Sequence, residues 1–267
     1  MGNNLGIGTL ARLSDAARQA AGTLLDALLP PHCLGCEAEV DRQGALCPAC
    51  FAQLSFVTAP LCDRCGVPFT HAGEAERGEG GALLCPACRE HPPAFARARA
   101  ALRYDEAARR LILPFKHADR TELAGPLAAQ MARAGAALLA EADLLAPVPA
   151  HWRRLLARRY DQAALLARAL SRRARLPCIP DLLRRTHATP MLGERGAAER
   201  RATVAGAFAV APRHAARLAG KRVLLVDDVM TSGATAEACA RALLATGAAR
   251  VEVLAAARVP DPRLRQA

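Results

Sequence analysis

Two adjacent acids followed by small hydroxyl residues form the clearest chemical pattern in the sequence. Asp227 and Asp228 end the apolar run KRVLLVDD, and the segment VMTSGAT follows directly. Gly233 permits a close backbone approach, and the N–H groups at the start of the next helix favour an anion. Carboxylates instead accept hydrogen bonds, which vicinal sugar hydroxyls donate. A ribose 5-phosphate carries both kinds of group, so the pattern predicts a ribose 5-phosphate site, with Mg²⁺ nearby. Three hydroxyl side chains add donors to this loop: Thr231, Ser232 and Thr235.

Two other interpretations of the acid pair are less favoured. A nucleotide-hydrolysing site of the Walker type also places acids after a buried strand, but the sequence has no G-x-x-x-x-G-K-[ST] segment. A helix cap without a ligand needs one acid, rather than a pair followed by Thr-Ser-Gly-Ala-Thr. The phosphate-binding interpretation therefore leads.

Cysteines are concentrated in four C-x-x-C pairs, all within residues 33–88. This spacing directs two sulfurs at one ion, and two pairs complete a tetrahedral site. A disulfide framework would need an oxidising compartment, and four such pairs are too many for one redox motif. We therefore expect two structural zinc ions with no open position for chemistry. Sequential pairing is favoured, and interleaved pairing stays open. The ligands would be Cys33, Cys36, Cys47, Cys50, Cys62, Cys65, Cys85 and Cys88.

The charge of the chain is unevenly distributed. The formal net charge is +11, and residues 151–201 contain thirteen arginines against four acids. Such a region suits phosphate-bearing ligands or nucleic acid, although a solvated helix face in an arginine-rich chain is the alternative. Aromatic residues make up only 3% of the chain, which gives little base stacking. There is no signal-peptide pattern or membrane span, so we expect a soluble, cytoplasmic protein without membrane insertion.

Hydrophobic periodicity predicts alternating helices and strands after the cysteines. A strand, a helix and a strand flank the acid pair, which indicates a parallel sheet with its ligand at the carboxyl ends of the strands. Residues 184–205 lack periodicity and are predicted to form a mobile loop. The predicted helices are 9–29, one from 106 broken at Pro114, 120–142, 153–175 and 234–247; the predicted strands are 96–104, 143–149, 222–228 and 250–259.

The segment VLLVDDVMTSGAT closely resembles the phosphoribosyl pyrophosphate (PRPP) signature of type I phosphoribosyltransferases. The order of segments along the chain is similar to that of the ComF/GntX family. Four C-x-x-C pairs come first, and they are followed by LILPFKHADRTELAGPLA, PVPAHWRRLLARRYDQAALLARALSRR, ERRATVAGAF and this loop. The resemblance implies an α/β fold, with a parallel-sheet type I phosphoribosyltransferase domain after an N-terminal cysteine-rich double zinc ribbon. The expected divisions are an N-terminal helix at 1–30, the ribbon at 31–92, the phosphoribosyltransferase-like domain at 93–260 and a tail at 261–267.

The resemblance also implies roles for individual residues. Asp227 and Asp228 would hold the ribose hydroxyls at the catalytic centre, and Mg²⁺ would accompany PRPP. Lys116 matches the lysine of the family's K-Y-x-G segment. The 5-phosphate would be wrapped by Val229, Met230, Thr231, Ser232, Gly233, Ala234 and Thr235, and the pyrophosphate would face Arg153, Arg154 and Arg158.

Several positions depart from the family's pattern. R-G-F-N-Q is here RRYDQ, so Asp161 replaces Asn, and His117 replaces the Tyr that follows the lysine. Thr203 stands where Asn often precedes GAF, and Met191 or Leu192 stands where Gln is often found. These changes lie toward the acceptor side and the mobile loop, so they leave PRPP binding intact.

Two functions are consistent with this pattern. One is a phosphoribosyltransferase with an unknown acceptor, linked by its family to DNA uptake in natural competence or to growth on gluconate. The other is a non-catalytic module that senses PRPP or binds single-stranded DNA through the ribbons and the arginine-rich region. Competence-machinery proteins are possible partners in either case.

Overall fold

This computed structural model describes residues 30–117, 119–150, 160–186, 203–204, 206–261 and 264. The predicted helix at 9–29 and most of the predicted mobile loop lie outside the described residues. The chain divides into two compact units, residues 1–53 and 54–267. Among the described residues, no helix is long and apolar enough to cross a membrane.

The first unit is a small zinc-ribbon-like fold without an extended sheet in its described part. Its helix α1 spans Pro48–Ala52, with proline in its first turn and Cys47 at the N-cap position. The chain turns between the two cysteine pairs through hydrogen bonds such as that from the Cys33 N–H to the Ala38 carbonyl, 2.7 Å long. Short loops with paired backbone groups therefore bring the cysteines together.

The second unit begins with a second small cysteine-rich segment. Its elements are β1 (Glu76–Arg77), β2 (Leu83–Leu84) and α2 (Pro86–Glu90), and β1 pairs antiparallel with β2. Gly66 adopts a φ of +67°, and a Cβ there would lie 2.5 Å from the Ala98 carbonyl oxygen. Only glycine allows this close approach, which places the knuckle of Cys62 and Cys65 against the first strand of the main sheet.

Four parallel strands form the main sheet, as the strand–helix–strand pattern predicts. The strand order is β3–β8–β7–β4, so the two predicted strands around the acid pair lie at the centre. Apolar side chains fill both faces, which is typical of parallel sheets covered by helices. The strands are β3 (Ala98–Arg103), β4 (Leu144–Pro147), β7 (Arg222–Met230) and β8 (Arg250–Arg258).

Helices connect these strands and cover the sheet. The helical run predicted over 120–142 is divided at Gly135, whose backbone is not helical, between one helix that ends at Ala134 and the next that begins at Ala136. A Cβ at Gly135 would lie 2.6 Å from Leu254 Cδ1, so this position packs closely against the sheet. The helices are α3 (Glu106–His117), α4 (Ala124–Ala134), α5 (Ala136–Glu141), α6 (Gln162–Ala174) and α7 (Ala234–Ala245).

Three predicted boundaries were wrong. Helix α3 continues through Pro114 to His117, because the buried Phe115 anchors its last turn. Helix α6 begins at Gln162 because Asp161 has the extended backbone of an N-cap residue, so no single helix spans 153–175. The first residues of the predicted mobile loop belong to β5 (Leu183–Arg185), which pairs antiparallel with β6 (Phe208–Val210).

The second cysteine cluster and the main sheet share one hydrophobic core. Cys62, Val67 and Phe69 belong to the same buried cluster as Val253 and Ala255 of β8. Burying this apolar surface stabilises the two parts together, at roughly 25 cal/mol per Å² removed from water. The second ribbon is therefore integrated into the unit that contains the acid pair.

Candidate functional site

The acid pair lies near the carboxyl end of the central strand β7. Each carboxylate accepts a hydrogen bond from the following backbone: the Asp228 N–H donates to Asp227 Oδ1 at 2.9 Å, and the Val229 N–H donates to Asp228 Oδ1 at 2.6 Å. These bonds fix the orientation of both side chains and leave further oxygen lone pairs free to accept from a ligand.

Lys116 reaches the acid pair from the end of helix α3. Its Nζ lies 3.0 Å from Asp228 Oδ2, and both side chains are 19% exposed. Two residues, one just before α6 and one at its first position, secure the helix end that carries Lys116. Tyr160 donates its hydroxyl to the Phe115 carbonyl at 2.9 Å, and Gln162 donates Nε2 to the Lys116 carbonyl at 3.4 Å. The structure thus brings together the lysine and the acids that the sequence placed on separate segments.

Asp161 stands between these two supporting residues and caps α6. Its Oδ1 accepts from the Ala164 N–H at 3.0 Å, and its Oδ2 accepts from the Ala150 N–H at 3.3 Å. Burial raises the pKa of its carboxyl group, and the charge of Asp228 adds to that effect. The departure from the family's Asn is therefore a structural N-cap that joins the end of β4 to the start of α6.

Burial also dominates the electrostatics of the acid pair. Burial, with the neighbouring charge of Asp228 as the next largest cause, raises the pKa of Asp227 to about 8, and Lys116 opposes the shift. An acid that is so costly to ionise is common at functional sites, where a ligand offsets the cost. Hydrogen bonds donated by a ligand would therefore stabilise the charged form of the acid pair.

The loop after β7 has the geometry of an anion cradle. Gly233 has a φ of +81° and occupies the N-cap position of α7, where no side chain caps the helix. A Cβ at Gly233 would lie 2.9 Å from Met230 Cε, which is the end of a flexible side chain, so it is the positive φ that favours glycine here. Thr231 and Ser232 are exposed, and the Ala234 N–H donates to Ser232 Oγ at 3.5 Å. The first N–H groups of α7 and these hydroxyls face the same edge of the sheet as the acids.

Arg153, Arg154 and Arg158 lie outside the described residues, so their predicted approach to a pyrophosphate stays a prediction. The other predicted site residues, from Asp227 to Thr235 together with Lys116, lie at the carboxyl end of β7 or beside it. Tyr160 and Gln162 were missed as supports for Lys116. Their only signal was the RRYDQ segment itself, which the sequence placed inside a helix.

The eight paired cysteines form two clusters, in the sequential pairing that we favoured. Cys33, Cys36, Cys47 and Cys50 form one, and Cys62, Cys65, Cys85 and Cys88 form the other, with the sulfurs of each cluster within 4.8 Å of one another. Bonds to zinc of about 2.3 Å separate tetrahedral sulfurs by about 3.8 Å. The Cys36–Cys47 and Cys65–Cys85 sulfur distances are 3.6 and 3.7 Å. Both clusters therefore fit a four-cysteine zinc site.

Backbone N–H groups support the sulfurs in both clusters. Cys33 Sγ accepts from the Gly35 and Cys47 N–H groups at 3.3 and 3.2 Å, and Cys62 Sγ accepts from those of Cys65 and Cys85 at 3.5 and 3.4 Å. Such bonds stabilise thiolates, the form that binds metal. Each cluster can bind a structural zinc ion, because the chain itself supplies all four ligands.

Comparison with known proteins places this geometry in a class. A double zinc ribbon domain matches residues 24–89, and a phosphoribosyl transferase domain matches residues 161–266. The chain is thus a phosphoribosyltransferase-domain protein with an N-terminal double zinc ribbon.

Relatives of known name share both parts. The DNA utilization protein YhgH of Escherichia coli O157:H7 is 30% identical over 214 residues, which cover 78% of this chain and 88% of that protein. YhgH of Salmonella typhimurium is 29% identical over 72% of this chain and 82% of its own. Competence protein F of Haemophilus influenzae is 27% identical over 85% of this chain and 95% of its own. The chain belongs to the ComF/GntX family.

Proposed function

We propose that the chain binds PRPP at the carboxyl end of β7 and transfers its phosphoribosyl group to an acceptor. The observation that supports this most is the combination of the acid pair with the uncapped start of α7. Asp227 and Asp228 present acceptors for ribose hydroxyls, and the segment from Thr231 to Thr235 presents donors for a 5-phosphate. A simple cation would use only the carboxylate acceptors, and a simple anion would use only the donors of the loop. Ribose 5-phosphate has hydroxyls for the first and a phosphate for the second.

The proposed reaction breaks the bond between ribose C1 and the pyrophosphate oxygen. The electron pair of that bond leaves with pyrophosphate, and a lone pair of the acceptor forms the new bond to C1. Positive charge grows on the ribose in the transition state, and the carboxylates of Asp227 and Asp228 would stabilise it. Mg²⁺ would offset the charge of the pyrophosphate when bound. Arg153, Arg154 and Arg158 are proposed to face the same group.

Calorimetric titration with a pair of matched ligands tests the binding site. The zinc-loaded protein is titrated with ribose 5-phosphate and with 2-deoxyribose 5-phosphate, and PRPP with Mg²⁺ serves as the full ligand. Loss of one hydroxyl leaves a half-buried carboxylate without its donor, so the deoxy ligand should bind at least about tenfold more weakly. Equal affinity for the two sugars would contradict a role of the acids in holding ribose, and no binding of any of the three would overturn the proposal.

A second candidate function is binding of single-stranded DNA, which the names of the relatives suggest. The charge of the chain limits where phosphates would contact it. Residues 30–92 contain eight acids and four arginines, and each zinc with four thiolates adds further negative charge. The ribbons are therefore poor phosphate contacts. The exposed end of α6 fits better, with four exposed arginines: Arg168, Arg172, Arg173 and Arg175.

Salt dependence separates these surfaces. Replacing Arg172 and Arg173 by Gln should lower the slope of log affinity against log salt by about 1.4 for single-stranded DNA, because each phosphate contact contributes about 0.7. The matched variant Arg42→Gln/Arg77→Gln removes two exposed arginines of the ribbons and should leave the slope unchanged. Fluorescence anisotropy at several salt concentrations measures both. An unchanged slope in the α6 variant would exclude this surface.

A further inference from the structure

The buried side chain of Arg258 connects two sites that the sequence treats as separate. Arg258 is the last residue of β8, is 6% exposed and lies opposite Met230 in the sheet. On one side, its Nε donates to the Cys65 carbonyl at 3.3 Å, and its Nη2 lies 3.6 Å from Cys65 Sγ. On the other, its Nη1 donates to the Met230 carbonyl at 3.2 Å and also to that of Thr231. One guanidinium thus contacts both the second cysteine cluster and the start of residues 230–235, which we call the phosphate loop.

A buried guanidinium needs a negative partner to offset its loss of hydration. None of the ion pairs found within the described residues joins Arg258 to a carboxylate; its partners are carbonyl oxygens and the sulfur of Cys65. Four thiolates around one Zn²⁺ carry a net charge of about −2. The metal-loaded cluster is therefore the anion that this arginine faces, and its charge and position depend on the metal.

The segment that follows the second cysteine cluster also contacts this loop and the helix after it. The Ala94 N–H donates to Glu237 Oε2 in the first turn of α7 at 2.5 Å. The ring of Phe95 lies so near Gly233 that a Cβ there would be 3.7 Å from Phe95 Cζ. The phosphate loop is thus held by parts of the chain that the second cysteine cluster itself positions.

We propose that Arg258 is a positioning residue through which metal in the second four-cysteine site holds the phosphate loop, residues 230–235, in its binding conformation. Loss of this metal frees Nε and Nη2 of Arg258 from their partners at Cys65. The carbonyls of Met230 and Thr231 then lose a donor that is fixed in position. The loop opens, and its affinity for a phosphate ligand falls. The metal therefore regulates the candidate site without contacting it. The effect on ligand affinity rests on the proposed function, whereas the effect on the loop does not.

The central experiment compares two conservative variants by hydrogen exchange of the metal-loaded, ligand-free protein. Arg258→Lys keeps a positive charge, but an ammonium group cannot reach both sites as a planar guanidinium does. Arg99→Lys is the matched control, since Arg99 donates to the Asp63 and Ala98 carbonyls of the ribbon contact but not to the loop. The peptide that contains residues 229–235 should exchange about tenfold faster in Arg258→Lys, and at the native rate in Arg99→Lys. A peptide from residues 223–226 of β7 serves as the internal reference.

A second measurement uses the reciprocity of coupled binding. If metal favours the loop conformation that binds phosphate, ribose 5-phosphate must slow release of zinc to a chromophoric chelator, by about fivefold for a coupling of ordinary size. This slowing should persist in Arg99→Lys and vanish in Arg258→Lys with zinc content unchanged. A residue that only stabilised the fold would change the release rate with and without ligand alike.

The outcomes separate this proposal from the proposed function. If the loop peptide of Arg258→Lys exchanged hydrogen at the native rate, the coupling would be overturned. The same conclusion would follow if the β7 reference peptide exchanged faster by an equal factor. Slowing of zinc release that survives in Arg258→Lys would also overturn it. Absence of ribose 5-phosphate binding by the native protein would refute the proposed function, and loop exchange would still decide the role of Arg258.

Discussion

Asparagine in place of Asp227 is expected to abolish most ligand affinity and yet to make the folded protein more stable at pH 8. The carboxylate should contribute about 3 kcal/mol to ribose binding, as a charged hydrogen-bond acceptor does, so affinity should fall about a hundredfold. Stability should move the other way, because burial raises the pKa of Asp227 to about 8 in the folded state. Function and stability therefore make opposite demands on this side chain.

The sign of the pH dependence follows from proton linkage. The pKa of an aspartate in an unfolded chain is about 3.9, so the folded native protein binds more protons than the unfolded chain between about pH 4 and pH 8. Its free energy of unfolding therefore falls as pH rises through that window. Asparagine does not titrate, so the gain in stability should be absent near pH 4 and exceed roughly 1 kcal/mol at pH 8, given about 1.4 kcal/mol per pKa unit.

Urea denaturation at several pH values, with calorimetric titration of ribose 5-phosphate, measures both effects. Asp143→Asn is the control on the opposite edge of the sheet, where Arg222 hydrogen bonds lower the pKa of Asp143. That carboxylate stabilises the fold above its unfolded pKa, so its removal should reduce stability at neutral pH and leave ligand affinity unchanged. A loss of stability in Asp227→Asn at pH 8 would contradict the raised pKa of Asp227.

Serine in place of Cys62 should destabilise the second unit far more than serine at Cys36 destabilises it. Cys62 is fully buried, accepts two backbone N–H groups and belongs to the core that includes β8. Loss of one ligand weakens the metal, and metal binding at such sites is itself folding free energy. We expect a loss of roughly 3 kcal/mol or more for Cys62→Ser. Cys36 is exposed and belongs to the first unit, so its loss should cost one zinc without affecting unfolding of the second unit.

Bound zinc and thermal unfolding, followed by circular dichroism, test this difference. Both variants should contain about one zinc per chain, which matches them in metal content. Only Cys62→Ser should show a lower Tm for the transition of the sheet. If both variants unfolded alike, the second cluster would have no special part in the core of the second unit.

Features that depend on neighbouring residues were predictable from the sequence. The strand, the phosphate loop and α7 were predicted because Arg222 to Arg258 form one continuous βαβ segment, in which apolar period and turn chemistry agree. The sequential cysteine pairing, which was favoured while interleaved pairing stayed open, is the pairing that the structure shows.

Features that join distant parts of the chain were not predictable. Tyr160 holds the end of α3 across 45 residues, and Arg258 contacts Cys65 across 193 residues. Both are ordinary residue types whose roles depend on tertiary contacts, which no local pattern records. The continuation of α3 through Pro114 was missed because packing of Phe115 outweighs the local cost of proline.

The ion pair between Lys116 and Asp228 has a kinetic consequence for a ligand such as PRPP, which carries several negative charges. In the ligand-free site, burial favours the neutral form of Asp227, and Asp228 is matched by Lys116, so the open site presents little net negative charge. Hydrogen bonds from a bound ligand would favour the charged form of Asp227 again. An approaching polyanion meets the positive end of α7 without the long-range repulsion of two bare carboxylates. Only after docking do the ribose hydroxyls compete for the acids. We therefore expect loss of the lysine to slow association with such a ligand more than it speeds dissociation.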